Sequence, residues 1–386
     1  MRLGGRKSWL VLGALILGSG LAAALPVSCP QTDARPTRNA EPQGRETEGM
    51  QTGLSRFESV PDGEQRQIED MLAMLRQKMA RDYAKGPTRR DAHPKTLACL
   101  RAEFVVEPNV PDDLRQGLFA EPRRYPAWVR ISSASGAVQP DSVKDLRGLA
   151  IKIMGATGPR YAVNNDEQTT QDFLLLSHPT LPLGTVRLFH DAVYYSTRYS
   201  PMVFGLRLAL TGRFDILKDL AGARQHQTSP LDIRYWSTTP YLCGPDQVVK
   251  YALVPTSSYR SSLPDKLTDD YLSSNMQKHL SSQAASFDFM VQRRTKSASQ
   301  PVEDAGVEWR EADSPLVKVA SLRIPVQEFR TAERAALAED LSFSPAHSLM
   351  VHRPIGGLNR ARVAIYRALS EFRHQRNHRV MLEPRP

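Results

Sequence analysis

The 386-residue chain reads as an α+β protein, an antiparallel sheet or barrel with helices around it. Two patterns carry this reading. Between residues 96 and 179 four runs alternate apolar and polar residues at period two, separated by Gly and Pro, the pattern of short antiparallel strands. At 62–84 and 359–373 the apolar residues recur at helical spacing instead. Hydrophobic residues make up 41% and charged residues 24% of the chain, a globular balance with enough apolar material for a sizeable core.

Residues 1–28 come first and read as a targeting segment. Arg2, Arg6 and Lys7 precede the apolar run WLVLGALILGSGLAAAL at 9–25, and Ala22, Ala23 and Ala24 offer a small-x-small cleavage site. The run is also near the length of a spanning helix. It is therefore a signal peptide or an uncleaved N-terminal membrane anchor. Either way the body is exported, to a periplasm or to the outer face of the inner membrane, tethered there if the anchor stays. Residues 29–57, rich in Pro, Gly, Thr, Arg, Glu and Gln, read as a disordered linker. Residues 58–386 form one domain without an internal repeat.

That domain opens with DGEQRQIEDMLAMLRQKMARDYA at 62–84. Ile68, Met71, Leu72, Leu75 and Met79 share one face, so an amphipathic helix is predicted. The four alternating runs follow: LACLRAEFVVE, AWVRISSAS, RGLAIKIMG and QDFLLLSHP. Residues 183–222 mix helical and aromatic segments. VVKYALVPTS and PLVKVASLRIPV add two strands, and 281–295 is read as a helix. The last helix is predicted over 359–373, after Gly356 and Gly357, with Asn359 as its N-cap.

The net charge is +10. No zinc-finger spacing, RNP-like aromatic motif or long Lys/Arg block accompanies it, so nucleic acid is not the expected partner. The cations are mostly dispersed arginines, which fits an anionic ligand or a solvated surface. Beyond Cys29 there are two thiols, Cys99 and Cys243, each in an apolar setting. They allow one disulfide or two buried free thiols, but no disulfide framework.

The C-terminal stretch RARVAIYRALSEFRHQRN sets Tyr366 among Arg360, Arg362, Arg367, Arg373 and Arg376. At about 100° per residue, Arg362, Tyr366 and Arg373 fall within roughly 40° of one another. A neighbouring guanidinium favours a phenolate, and a phenolate is a hard ligand suited to ferric iron. Spacing alone also fits a solvated basic helix.

Further motifs bear on the choice. TRRDAHPKTLACLRAEFVVEP at 88–108 resembles the distal segment of haem catalases, with Arg90 three residues before His93 at the start of the first barrel strand. RYPAWVRISSASG followed by DLRGLAIKIMG resembles that family's arginine-x-serine strand and its Arg-Gly successor, with Arg130 and Ser132 on the first pair. TQDFLLLSHP resembles the next barrel strand. Arg362-x-x-x-Tyr366 matches the proximal motif, and Arg373 falls seven residues after the tyrosine, as in catalases. The resemblance covers about residues 60–380 and is closest to the small branch containing catalase-related peroxidases and coral allene oxide synthases. FSPAHSLMVHRPIGGLNRARVAIY is similar to that branch in particular.

The resemblance implies an eight-stranded antiparallel barrel with surrounding helices that holds haem b. Tyr366 would be the axial iron ligand and Arg362 would stabilise its phenolate. Arg90, Arg130 and Arg373 would pair with the propionates. His93 would move the peroxide proton, with Ser132 on its other ring nitrogen. The distal asparagine of catalases has no direct counterpart: Thr169 or Thr170 aligns there, with Asn164 and Asn165 just upstream. Ala92, beside His93, leaves room. The long wrapping segment and C-terminal extension of large catalases are not expected. The implied activity is therefore that of a haem peroxidase or catalase-like protein acting on hydrogen peroxide or organic hydroperoxides. A fatty acid hydroperoxide enzyme of the allene oxide synthase or lyase type, or a non-catalytic haem-binding protein, are the alternatives. His178, His190 and His352 are expected to be structural, and Tyr194, Tyr195, Tyr199 and Phe204 to be core.

Overall fold

The computed structural model describes residues 53–161 and 167–385. The targeting segment, residues 29–52 of the linker, Asn164 and Asn165 lie outside the described residues. Helix α1 (Glu64–Asp82) buries Ile68, Met71, Leu75 and Met79, the face its periodicity marks. Strands β1 (Thr96–Val106), β2 (Arg124–Ser133), β3 (Arg147–Met154) and β4 (Thr170–Leu176) follow as successive antiparallel neighbours. A helical excursion comes next: α2 (Val186–Arg198), α3 (Pro201–Leu210) and α4 (Phe214–Gly222).

The chain returns through two-residue strands β5 (Tyr235–Trp236) and β6 (Tyr241–Leu242) to β7 (Val248–Pro255). Helix α5 (Tyr271–Leu280), strands β8 (Ala285–Arg293) and β9 (Leu316–Ile324), and helices α6 (Ala332–Asp340) and α7 (Gly357–Arg376) complete it. The strands run β5-β4-β3-β2-β1-β9-β8-β7, and β5 pairs back onto β7. This closes an eight-stranded antiparallel barrel, and β6 adds to the β7 edge that β5 leaves uncovered.

The barrel is filled. Phe104 of β1, Phe173 of β4, Tyr251 of β7 and Phe289 of β8 meet inside it, with Phe173 and Phe289 centroids 4.8 Å apart. Along β2, Tyr125, Ala127, Val129 and Ile131 enter this core. Strand alternation therefore turns Arg130 and Ser132 to the outer face. Chemistry carried by these strands must take place outside the barrel, under the helices.

Two expectations are corrected. Residues 281–295 are not a helix, because Ala285, Phe287, Phe289 and Val291 are buried in alternation as β8. Aromatic residues at period two favour the strand, and α5 ends just before it, at Leu280. Asn359 is not the cap of the last helix. That helix starts at Gly357, and Gly356 precedes it at φ 88°, where a Cβ would run into the Val302 carbonyl oxygen. Asn359 lies inside the first turn, and its Nδ2 donates to the carbonyls of Pro240 and Ile355.

One face of α7 (Leu358, Ala361, Ile365) packs with α1 and α2 around Ile68, Met71, Leu75, Val186 and Val193. Arg360 clasps this end of the domain. It donates to Glu64 at 2.6 Å, Glu58 at 2.7 Å and Glu303 at 2.9 Å.

Candidate active site outside the barrel

His93 stands just before β1 with φ 58°, a left-handed conformation that costs a non-glycine residue of order 1–3 kcal/mol. Two contacts hold it there. Arg130 Nη2 donates to the His93 carbonyl at 2.7 Å and to Thr96 Oγ1 at 2.8 Å. Ser132 Oγ lies 3.0 Å from His93 Nδ1, sharing a hydrogen bond whose direction follows the ring tautomer. Gly148 of β3 makes room for the ring: a Cβ there would sit 2.6 Å from His93 Cε1 and 3.0 Å from Ser132 Oγ. Burial, with Arg130, Arg362 and Arg90 adding to it, lowers the His93 pKa to about 3. The imidazole is therefore neutral.

On α7, the Arg362 guanidinium lies 5.6 Å from the centre of the Tyr366 ring. Its Nη1 donates to Thr239 Oγ1 at 2.8 Å and to Asn359 Oδ1 at 2.9 Å. Burial works against its charge, but the phenols of Tyr241 and Tyr366 outweigh burial and hold its pKa above the ordinary value. Thr239 and Tyr241 come from the β5–β6 connection and its second strand. His93 and Arg362 are both half-buried.

Arg90, Arg130 and Arg373 gather beside the end of α6. Arg90 donates to the carbonyls of Ala338 and Leu341 and lies 3.2 Å from Glu339. Arg373 reaches the Glu339 carbonyl and lies 3.7 Å from its carboxylate. Burial lowers all three pKa values, and repulsion from Arg90 adds to it at Arg130 and Arg373; that of Arg373 falls to about 9 and that of Arg130 well below its ordinary value. Arg130 Nε has no hydrogen-bond partner among the described residues. Arg130 and Arg373 are buried and Arg90 half-buried, and Glu339, with Asp340 near Arg373, is less negative charge than three guanidinium groups need. A cleft of ≈ 970 Å³ opens on the Arg373 side, with Arg334 and Arg376 also in its walls.

The other sequence candidates fall elsewhere. Thr169 is exposed, and its hydroxyl and backbone N–H donate to Glu383 at 2.7 and 2.6 Å. His178 Nδ1 pairs with Thr180, and buried His352 accepts from the Leu118 N–H. Cys99 and Cys243 are free and buried. Phe204 packs in the small core between α2, α3 and α4, but Tyr194 and Tyr199 are exposed rather than core. Glu167, Asp172 and His347 bring three potential metal ligands within 4.8 Å of one another. The Lys152 ammonium sits among them, bonded to Glu167 and at 2.8 Å to Asp172, and takes the place of a cation. Spacing did not mark Gly148, Thr239, Tyr241 or Glu339 as site residues. Only Gly148 lay in a quoted motif, the Arg-Gly strand.

No family model matches the sequence, and no characterised protein matches it by sequence. Solved structures do. A fungal catalase covers 78% of this chain at 14% identity with a TM-score of 0.58. A bacterial catalase covers 80% at 15% identity and 0.59. Catalase A from Saccharomyces cerevisiae covers 78% at 14% identity and 0.61. The chain has the catalase-like fold. It spans 62%, 62% and 65% of those three chains, less than two thirds of each.

Proposed function

We propose that the protein is a haem b-dependent enzyme acting on hydroperoxides, with peroxidase-type turnover or organic hydroperoxide consumption exceeding dismutation of hydrogen peroxide. The observation that carries this is the cluster of Arg90, Arg130 and Arg373, short of counter-charge next to a neutral histidine. Two propionates would answer that demand, and the donor set fits them. Tyr366, with a charged Arg362 against its ring, would supply a phenolate oxygen to the iron. Haem bound there would supply the electrons for cleavage of a hydroperoxide O–O bond. His93 Nε2 then accepts a proton from one peroxide oxygen and returns it to the other. Ser132 and Arg130 keep the ring aimed during both transfers. Thr169, tied to Glu383, supports the preference over dismutation, because positioning a second hydrogen peroxide needs a polar group held beside His93. From the run at 9–25 we also propose that the protein is exported and acts in a periplasm.

The test is Tyr366→Phe in the full chain, reconstituted with haem. The variant should lose haem or hold it weakly, with the tyrosinate-type ferric spectrum of the wild type abolished. Full haem retention with an unchanged spectrum removes Tyr366 from the axial role. At equal haem, oxygen evolution faster by orders of magnitude than oxidation of a phenolic dye or loss of an organic hydroperoxide would overturn the stated preference.

A further inference from the structure

The helical excursion between β4 and β5 carries an apolar face that nothing among the described residues covers. Helices α2, α3 and α4 bury Leu183, Ala192, Phe204, Leu208 and Ile216 against one another. On the opposite side of α3, Met202 is 58% exposed, Leu206 57% and Leu210 79%. These three positions span about 80° of the helix, so they form one stripe. The stripe continues into Tyr199 at one end, 64% exposed, and Phe214 at the other, 63% exposed. Tyr199 and Tyr194 rings lie 6.3 Å apart, which extends the surface onto α2. Soluble monomers seldom show so many large apolar side chains together.

The charges around this face are cationic in excess: Arg187, Arg198, Arg207, Arg213 and Lys218 stand against Asp191, Asp215 and Asp219, and Asp191 and Asp215 are taken up by Arg207 and Arg213. Along α2, Arg187, Tyr194 and Arg198 recur at helical spacing and are exposed. On α4, Lys218 follows Phe214 by one turn and is exposed. Among the described residues no carboxylate pairs with Arg187, Arg198 or Lys218. Apolar and aromatic side chains flanked by unpaired cations form the pattern of a helix lying in a lipid interface. Anionic headgroups would neutralise the cations while the apolar stripe enters the acyl boundary. A second copy of the chain meets the face less well, because a two-fold contact sets the same cations against one another. The apolar run at 9–25, if retained as an anchor, would hold the body against the same surface.

We propose that α3, flanked by Tyr199 and Phe214, docks the folded body onto an anionic lipid bilayer. The inference does not depend on haem or on the hydroperoxide reading.

The experiment places a reporter in the full chain: Leu210→Trp, with Val380→Trp as a control at an exposed position far along the sequence. Each is titrated with phosphatidylglycerol–phosphatidylcholine vesicles, with and without bromine on the acyl chains. A tether at the N-terminus brings both variants to the vesicles, so only a docked face separates them. Emission of Leu210→Trp should shift to shorter wavelength and be quenched by the brominated lipid, while Val380→Trp stays unquenched. Adding Leu206→Ser or Met202→Ser should weaken the lipid response on the order of tenfold each. Arg198→Glu with Lys218→Glu should weaken it on anionic but not on pure phosphatidylcholine vesicles. All these positions are exposed, so unchanged thermal midpoints are expected and show that the variants remain folded. Equal quenching of the two reporters overturns the proposal. So does a blue shift of Leu210→Trp that follows protein concentration without lipid while the mass doubles, since a second copy then covers the face.

Discussion

Gly148→Ala isolates what the position of the His93 ring contributes. The added Cβ would lie 2.6 Å from His93 Cε1 and 2.7 Å from Nδ1. Carbon atoms settle at about 3.5–4.0 Å, so the ring must withdraw by roughly 1 Å. The backbone cannot carry it, because Arg130 holds the His93 carbonyl and the residue is already left-handed at φ 58°. The ring must rotate, and its 3.0 Å contact with Ser132 is lost. A misplacement of this size costs about 10²-fold in rate, and overpacking costs about 1–3 kcal/mol in stability. The assay is peroxide consumption per bound haem, with haem occupancy read from absorbance and stability from a thermal melt. Gly148→Ala should keep its haem and lose about 10²-fold in rate. Combining it with Ser132→Ala should cost little more than Gly148→Ala alone, since both act through the same ring. A variant with the wild-type rate and melting point would show that nothing rests on the placement of His93.

Two further outcomes follow from the charges. The His93 pKa is depressed from 6.5 to about 3, so the neutral imidazole contributes stability that is present above 6.5 and lost as pH falls towards 3. Thermal midpoints of the wild type should fall through that window more steeply than those of His93→Gln, and parallel curves would contradict the depressed pKa. Arg360→Met leaves the carboxylates of Glu58, Glu64 and Glu303 facing one another with Glu58 and Glu64 buried, and should cost about 3–5 kcal/mol in denaturant unfolding. A loss below about 1 kcal/mol would rank the clasp with surface ion pairs.

The strands that the sequence displays best are those with one face in the barrel core and an outer face that still carries polar groups. β1 and β2 alternate for this reason. β8 is hidden in the sequence because a strand following directly on a helix blurs the change of period between Leu280 and Ala285. β5 and β6, at two residues each, are too short to show any period, yet β5 closes the barrel. The site divides in the same way. His93, Arg90, Tyr366 and Arg362 stand in local motifs whose spacing is visible along the chain. Thr239 meets Arg362 across 123 residues, and Glu339 meets Arg90 from a helix that sequence periodicity did not mark. Thr169, placed by alignment near His93, is drawn instead to Glu383 in the C-terminal tail. That pairing could not be read from either segment alone.

The clasp at Arg360 also sets an order of assembly. Its bonds to Glu58 and Glu64 span 302 and 296 residues, and β1 must find β9 across the barrel seam, Glu103 facing Arg323. Such distant pairings carry a large loop-closure entropy and belong to slow-folding topologies. β1 to β4 can pair as neighbours while the chain is still emerging. The helix bearing Tyr366 can dock fully only when Glu58 and Glu64 have been gathered beside Arg360. The half of the site that carries His93 is thus expected to form before the half that carries Tyr366. A ligand that met both halves would be enclosed only once this last helix of the fold has docked.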